Sequence, residues 1–326
     1  MASQKDIKGR ISSVKNIKKI TRAMEMVAAA RLRRAEQRIE HLRPYADAIR
    51  RMTRRASEAA ENIPSLPILQ EHDSVEHVGL LLVTGDRGLA GPFNSQIIRG
   101  GNSRAKEIER EGPEVAWYAS GRRGVSSLEF RGLSPSGSWA GFTDRPTYAD
   151  AREIASDLTA AYVDGKVDRV EVLYNGYVSA MTQEVRHETL LPLQQADVLG
   201  GEHPEEGTGE EGGGKASGES GDDDADSDWS GDPTAGIDHS RSLWIYEPDP
   251  EEILARLVPD YVEISIYRAL LESTASEHGA RMTAMRSASD NATELIDDLT
   301  LAANRQRQAE ITQEIMEVVA GAEGLR

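Results

Sequence analysis

Residues 7–49 run IKGRISSVKNIKKITRAMEMVAAARLRRAEQRIEHLRPYADAI. Ile7, Ile11, Val14, Thr21, Ala28, Leu32, Ala35, Ile39, Leu42, Ala46 and Ile49 recur at the three-, four- and seven-residue steps of a heptad seam, so this stretch predicts one long helix with a partner helix along it. Lys18 and Glu25 interrupt the seam where apolar residues are expected, with Met24 and Val27 beside the gap. Ala28, Ala29, Ala30 and Ala35 are small, good helix formers, and a partner helix can approach closely there. Pro44 predicts a kink without an end, because Tyr45 to Ala60 keep a helical composition. Pro64 and Pro67 end the helix.

A second long helix is predicted after Pro259, since no proline follows it and Gly279 is the one interior glycine before the last few residues. Its seam reads Ile264, Tyr267, Leu271, Met282, Met285, Ala292, Leu295, Leu299, Ala302, Ala309 and Met316. At 1.5 Å per residue the two helices are about 80 Å and 95 Å long. A globule of this chain length is only about 50 Å across, so they protrude. The sequence between them forms a separate domain, and the simplest solution returns the second helix antiparallel along the first. The stripes by themselves are equally compatible with core packing or with homodimerisation.

The middle alternates strand and helix signals. Val78–Val83 reads as a buried strand, Asn94–Arg110 as a helix weakened by Gly100 and Gly101, and Val115–Tyr118 as a strand. Tyr148–Val163 reads as an amphipathic helix, and Val170–Tyr174 as a strand followed by a β-rich stretch to Leu193. That order implies an α/β fold: a small Rossmann-like parallel sheet covered by helices, plus a long antiparallel two-helix coiled coil from the chain ends. The expected division is 1–65 and 249–326 for the coiled coil, 75–199 and 241–248 for the α/β domain, and 200–240 for an acidic insertion. Between Gly201 and Asp232 lie twelve acidic residues, nine glycines and one lysine, a composition that predicts a disordered loop.

Composition narrows the chemistry. With 326 residues, 38% of them hydrophobic, the chain can bury two cores. The absence of cysteine excludes disulfides, thiolate metal sites and cysteine nucleophiles. No apolar run approaches the roughly 18 residues needed to span a bilayer, and none suits a secretory signal, so a cytoplasmic protein without a transmembrane span is expected. Residues 1–55 hold sixteen Lys and Arg against five Asp and Glu, although the whole chain carries −17. A basic rod is thus joined to an acidic body.

Each motif has a plain structural alternative. Thr84-Gly85-Asp86-Arg87-Gly88-Leu89-Ala90-Gly91 follows a strand and precedes a helix, where phosphate loops occur. Its G-x-x-G-x-x-G spacing lacks the close first glycine pair of a dinucleotide site, and no Gly-Lys-Ser/Thr follows; a tight structural turn is expected. His41, His72, His77, His187, His203, His239 and His278 form no H-x-x-x-H pair, so no metal is expected. No G-x-S-x-G elbow occurs, and Asp297 and Asp298 point to different sides of a helix, so no catalytic constellation emerges. Lys5, Lys8, Lys15, Lys18, Lys19, Arg22, Arg31, Arg33, Arg34 and Arg38 could neutralise nucleic-acid phosphates. Against that stand the lack of any aromatic in residues 1–40, the acidic body and the seam. A nucleic-acid-binding coiled coil and a small-molecule α/β enzyme are the rival readings.

Two terminal segments are more specific. Ile20-Thr21-Arg22-Ala23-Met24-Glu25-Met26-Val27-Ala28 and Ile311-Thr312-Gln313-Glu314-Ile315-Met316-Glu317-Val318-Val319-Ala320-Gly321-Ala322 strongly resemble the gamma subunit of bacterial F-type ATP synthases. Thr84 to Gly91 with Phe93-Asn94, and Tyr246-Glu247-Pro248 with Ser276-Glu277-His278-Gly279-Ala280-Arg281-Met282, agree in order with the same family. The resemblance implies a non-catalytic rotor without a cofactor, peripheral on the cytoplasmic face of the plasma membrane. Its coiled coil turns inside a hexamer of alpha and beta subunits, its foot sits on the c-subunit ring and the epsilon subunit, and proton flow drives the catalytic cycle in beta.

The resemblance also implies residue roles. Met24 meets beta with Lys18, Lys19 and Arg22 around it, and Arg281 supports that region. Arg307, Gln308, Thr312 and Glu317 match polar contacts with a loop of beta. Val318, Val319 and Ala322 match an apolar sleeve at the tip, and Tyr246 and Glu247 match contacts with the c ring and epsilon. The acidic insertion is longer than the family generally has, Gly100-Gly101 is unusual in its helix, and without cysteines the thiol switch of chloroplast relatives is ruled out.

Overall fold

The computed structural model describes residues 4–59, 66–193 and 249–323. Helix α1 (Gln4–Ala59) opens the chain, and a five-stranded sheet with three helices follows: β1 (His77–Val83), α2 (Phe93–Glu111), β2 (Glu114–Ser120), α3 (Arg122–Phe130), β3 (Gly137–Trp139), α4 (Tyr148–Val163), β4 (Arg169–Tyr177) and β5 (Gln183–Leu191). Helix α5 (Pro250–Glu323) is the last element described. At 56 and 74 residues, α1 and α5 are about 84 Å and 111 Å long.

The sheet order is β3-β2-β1-β4-β5, with β1 to β4 parallel and β5 antiparallel on the edge. Central β1 is covered on both faces, so its sequence is a continuous apolar run; every residue after His77 is buried. Leu81 and Val83 face one core, built with Ile154, Leu158 and Tyr162 of α4 and with Val258, Val262 and Ile266 of α5. Leu80 and Leu82 face the other, with Ile97 and Ala105 of α2 and Leu128 of α3. The first turns of α5 therefore belong to the sheet's own core, and beyond them the helix leaves to pair with α1.

The α1 seam is the one its spacing predicts. Thr21, Ala28, Leu32, Ala35 and Ile49 are buried, and Ile7, Ile11, Val14, Ile39, Leu42 and Ala46 are partly so. Glu25, out of pattern in sequence, keeps only 12% of its side chain exposed and pairs with Arg22 at 2.7 Å and with Arg286 of α5 at 3.8 Å. As α1 proceeds to Leu32, Ala35 and Ile39, its partners on α5 recede to Met282 and Ala275, so the helices are antiparallel.

Two expectations need correction, and two short elements are not anticipated in the sequence. Helix α5 starts at Pro250, with Pro259 inside it. Pro259 is exposed while Val258 and Val262 are buried beside it, so the missing N–H falls on the solvent side and core packing carries the helix through. Beyond Ala292 the seam against α1 runs Ile296, Leu299, Ala303 and Gln306, whereas Leu295 and Ala302 are exposed; Ala309 and Met316, also exposed, lie beyond the level at which α1 is described. A one-residue slip had followed the larger apolar side chains to the outer face. Helix α3 and strand β3 are short and carry charge or glycine, and no periodic signal marks them.

Of the Gly100-Gly101 pair, Gly101 has a packing cause. A Cβ on Gly101 would lie 2.5 Å from Leu82, so α2 lies this close to the sheet because that side chain is missing, whereas one on Gly100 would make an ordinary 3.4 Å contact with Val185.

Candidate functional site: the joint between the helix pair and the sheet

The G-x-x-G-x-x-G loop after β1 grips α5. Thr84 ends β1 with its hydroxyl donating to the Ser120 carbonyl and accepting from the Gly124 amide, each at 2.8 Å. The Gly85 amide donates to Asn94 Oδ1 at 2.8 Å. A Cβ at Gly85 would come 2.9 Å from the Glu277 carboxylate, and Arg281 Nη2 donates to the Gly88 carbonyl at 3.3 Å. Leu89 and Gly91 take positive φ values of 64° and 53° to turn the chain into α2. Helix α5 thus fills the face where a phosphate would lie.

Asp86 organises the opposite wall. Its carboxylate accepts from the amides of Arg122, Gly141 and Thr143 and from the Thr143 hydroxyl, at 2.9 to 3.2 Å. Partial burial pushes this carboxyl up, but those hydrogen bonds outweigh it and hold the group below the ordinary carboxylate range. The ordered loop 141–144 then docks on both long helices: Thr274 of α5 donates to the Thr143 carbonyl at 2.9 Å, and Asp144 pairs with Arg31 of α1.

Inside the joint, Glu277 and Arg281 form a buried pair one helical turn apart, while Arg281 Nη1 lies 3.3 Å from His278 Nδ1. Burial pushes the Glu277 carboxyl up even with Arg281 beside it. Burial, with the Arg281 charge adding to it, lowers His278 to about 4, so this imidazole is neutral at pH 7. A second clamp lies across the sheet's edge. Tyr177 at the end of β4 bonds Glu36 of α1, Arg186 of β5 reaches Glu272 at 3.2 Å, and the hairpin carbonyl of Ala180 lies against Gly279, where a Cβ would meet it at 2.9 Å. The joint can transmit force between sheet and helices. Its acids and bases are engaged with one another, and among the described residues no group of His, Asp and Glu is arranged to hold a metal ion.

The predicted site residues fall into distinct places. Lys19 and Arg22 are exposed on α1, and Lys18 and Met24 are half-buried against the pair. Arg281 is spent inside the joint, some way down the helix from the Met24 level. Arg307, Gln308 and Thr312 are exposed on α5, where the Thr312 hydroxyl donates to the Gln308 carbonyl at 2.9 Å. Val318 is 72% exposed, and Glu317, Val319 and Ala322 lie on the same last turns of α5. Tyr246, Glu247 and the 200–240 insertion lie outside the described residues. Sequence reading passed over Asp86, Thr143, Asp144 and Glu277; the polar Glu277-His278 pair within a helical seam was the available signal.

Counting outward from the Glu25–Arg286 contact, α1 as described begins level with roughly residue 307 of α5, so among the described residues α5 continues without a partner helix for about 16 residues, or 24 Å. Ile311, Ile315, Met316 and Val318 are exposed on this overhang.

The family model described as ATP synthase matches residues 3–325. The ATP synthase gamma chain of Rubrobacter xylanophilus is 40% identical over 325 residues, covering 100% of this chain and 99% of its own. That of Streptomyces coelicolor is 41% identical, covering 98% and 94%. Among solved structures, a chain of the Euglena gracilis mitochondrial ATP synthase in an OSCP, F1 and c-ring assembly superposes with a TM-score of 0.62 at 14% identity, over 99% of this chain and 94% of that one. A central stalk and c-ring structure from Tetrahymena thermophila gives 0.54 at 23% identity, over 83% and 99%.

Proposed function

We propose, because the chain belongs to the ATP synthase gamma-chain family, that it is the central stalk that couples turning of a membrane c ring to the conformational cycle of catalytic beta subunits. In this reading α1 and α5 stand inside the alpha–beta hexamer, the sheet domain rests on the c ring and the epsilon subunit, and the protein works at the cytoplasmic face of the plasma membrane. The bonds of ATP are made and broken in beta, and this chain is non-catalytic. Among the described residues no helix is long and apolar enough to cross a membrane, which suits a peripheral attachment.

One observation carries the proposal. A stiff antiparallel pair projects from a compact sheet domain and is locked to it by a buried joint, so torque on the sheet domain reaches the far end without slipping. The outward side chains suit a turning axle. Lys19, Arg22, Arg307, Gln308 and Thr312 are exposed, and exposed charge pairs contribute only about 0–1 kcal/mol each, so none would hold one beta subunit through a full turn. Val318 gives the overhang an uncharged side chain that slides past a sleeve.

Reconstitution tests it. Alpha, beta and this chain should assemble into a complex with ATPase activity. With epsilon and a c-ring sector in vesicles, ATP should drive proton uptake only when this chain is present. Failure to bind the hexamer would refute the stalk reading, and assembly without proton coupling would refute the coupling role.

A further inference from the structure

We infer that the crevice between α1 and the 141–145 loop is a binding site for a condensed phosphate, free or carried by a nucleotide. It has a volume of about 260 Å³ and is walled by Arg31, Arg34 and Arg38 on one side and Arg145 on the other, with Asp144, Thr274 and His278 at its base. The three α1 arginines are spaced three and four residues apart, which places their side chains on one stripe of the helix. Arg145 enters from the loop that Asp86 orders and that Asp144 ties to Arg31 of α1, so the spacing between the two walls is held.

Charge is unbalanced in this crevice. Arg31 is neutralised by Asp144. Arg34, Arg38 and Arg145 have no carboxylate partner among the described residues. Arg281 stands behind His278, with its own charge met by Glu277, so His278 and the buried pair close the base without adding an acid. Three arginines without carboxylate partners line one small space and leave an excess of positive charge that an anion would balance. Each planar fork matches two phosphate oxygens, which makes arginine better suited than lysine to this geometry. The crevice holds several waters, room enough for a diphosphate. The Gly85–Gly91 loop is the structural turn its spacing predicts, with α5 packed against Gly85 and Gly88, so the arginine crevice is separate from it.

The test uses the full chain and titration calorimetry with inorganic pyrophosphate at about 150 mM KCl, where diffuse attraction to exposed charge is screened beyond about 8 Å. One saturable site is expected. Arg34→Gln with Arg38→Gln should weaken it at least about tenfold, and Arg145→Gln, from the other wall, should do the same. Lys8→Gln with Lys15→Gln removes equal charge from the same helix outside the crevice and should leave the affinity within about twofold. Competition between ADP and pyrophosphate assigns the source: tighter ADP binding means a nucleotide supplies the phosphate, and equal or weaker binding means the inorganic ion does. No saturable binding at millimolar pyrophosphate, or equal losses in the lysine and arginine variants, overturns the site. Because the exposed arginines contribute little to the fold, unchanged thermal midpoints will separate lost binding from lost structure. The result is independent of the assembly test, since it uses the isolated chain.

Discussion

At the scale of single residues, Glu277, His278 and Arg281 carry the sharpest consequences. Removing Arg281 leaves Glu277 buried and uncompensated, so Arg281→Ala should cost about 3–5 kcal/mol in urea unfolding, and replacing both members with methionine should recover most of it. His278 is neutral in the fold with a value of about 4, against about 6.5 in the unfolded chain. Between those values the unfolded state binds the extra proton, so stability rises with pH across the window and is lost as pH falls from about 6.5 toward 4. Arg281 and Arg31 flank the ring, Asp144 faces it and Arg145 lines the same crevice, so the His278→Asn variant should flatten that slope, and a stability profile from pH 4 to 7 measures it. None of this was visible in the residue types alone. In sequence the resemblance gives Arg281 a role supporting the Met24 region, and only the fold, by bringing residue 88 beside residue 281, reveals it as the centre of the joint.

Periodicity settles the elements, and the exceptions follow from what a face packs against. The α1 heptad was readable because its apolar residues are its buried ones. On α5 the stretch after Ala292 departs from the sequence-based seam because Leu295 is large yet outward while the smaller Ala303 lies inward, so size outweighs register there. Ile296→Ala should therefore cost about 1–2 kcal/mol and Leu295→Ala under about 0.5 kcal/mol in thermal unfolding; the reverse order would restore the sequence-based seam. The helix glycines give a second comparison. Gly9 has nothing within 4 Å of a built Cβ, and Gly279 has the Ala180 carbonyl oxygen at 2.9 Å. Gly9→Ala should stabilise by up to about 1 kcal/mol through backbone entropy, whereas Gly279→Ala should lose that gain and more, since the hairpin must move off the helix.

Across the whole molecule, rigidity is graded. The segment of α5 from Ile264 to Arg281 is wedged between sheet and α1, while residues after about 307 have no helix beside them among the described residues. Amide exchange on the isolated chain should be slowest in the first and near the unprotected limit in the second, because a lone helix of roughly 16 residues is marginal in water; uniform protection along α5 would contradict the overhang. Overall shape was open to sequence reasoning because two stripes of this length cannot fit inside a globule, whereas the joint depends on contacts spanning up to about 190 residues that no local pattern encodes. The antiparallel pairing also has a consequence for biogenesis. At about 5–20 residues per second, a ribosome that has released α1 takes on the order of 10–50 s to deliver its mate. During that interval the newborn helix carries an uncovered greasy stripe, and a trigger-type holdase that shields nascent apolar segments should raise the yield of soluble chain.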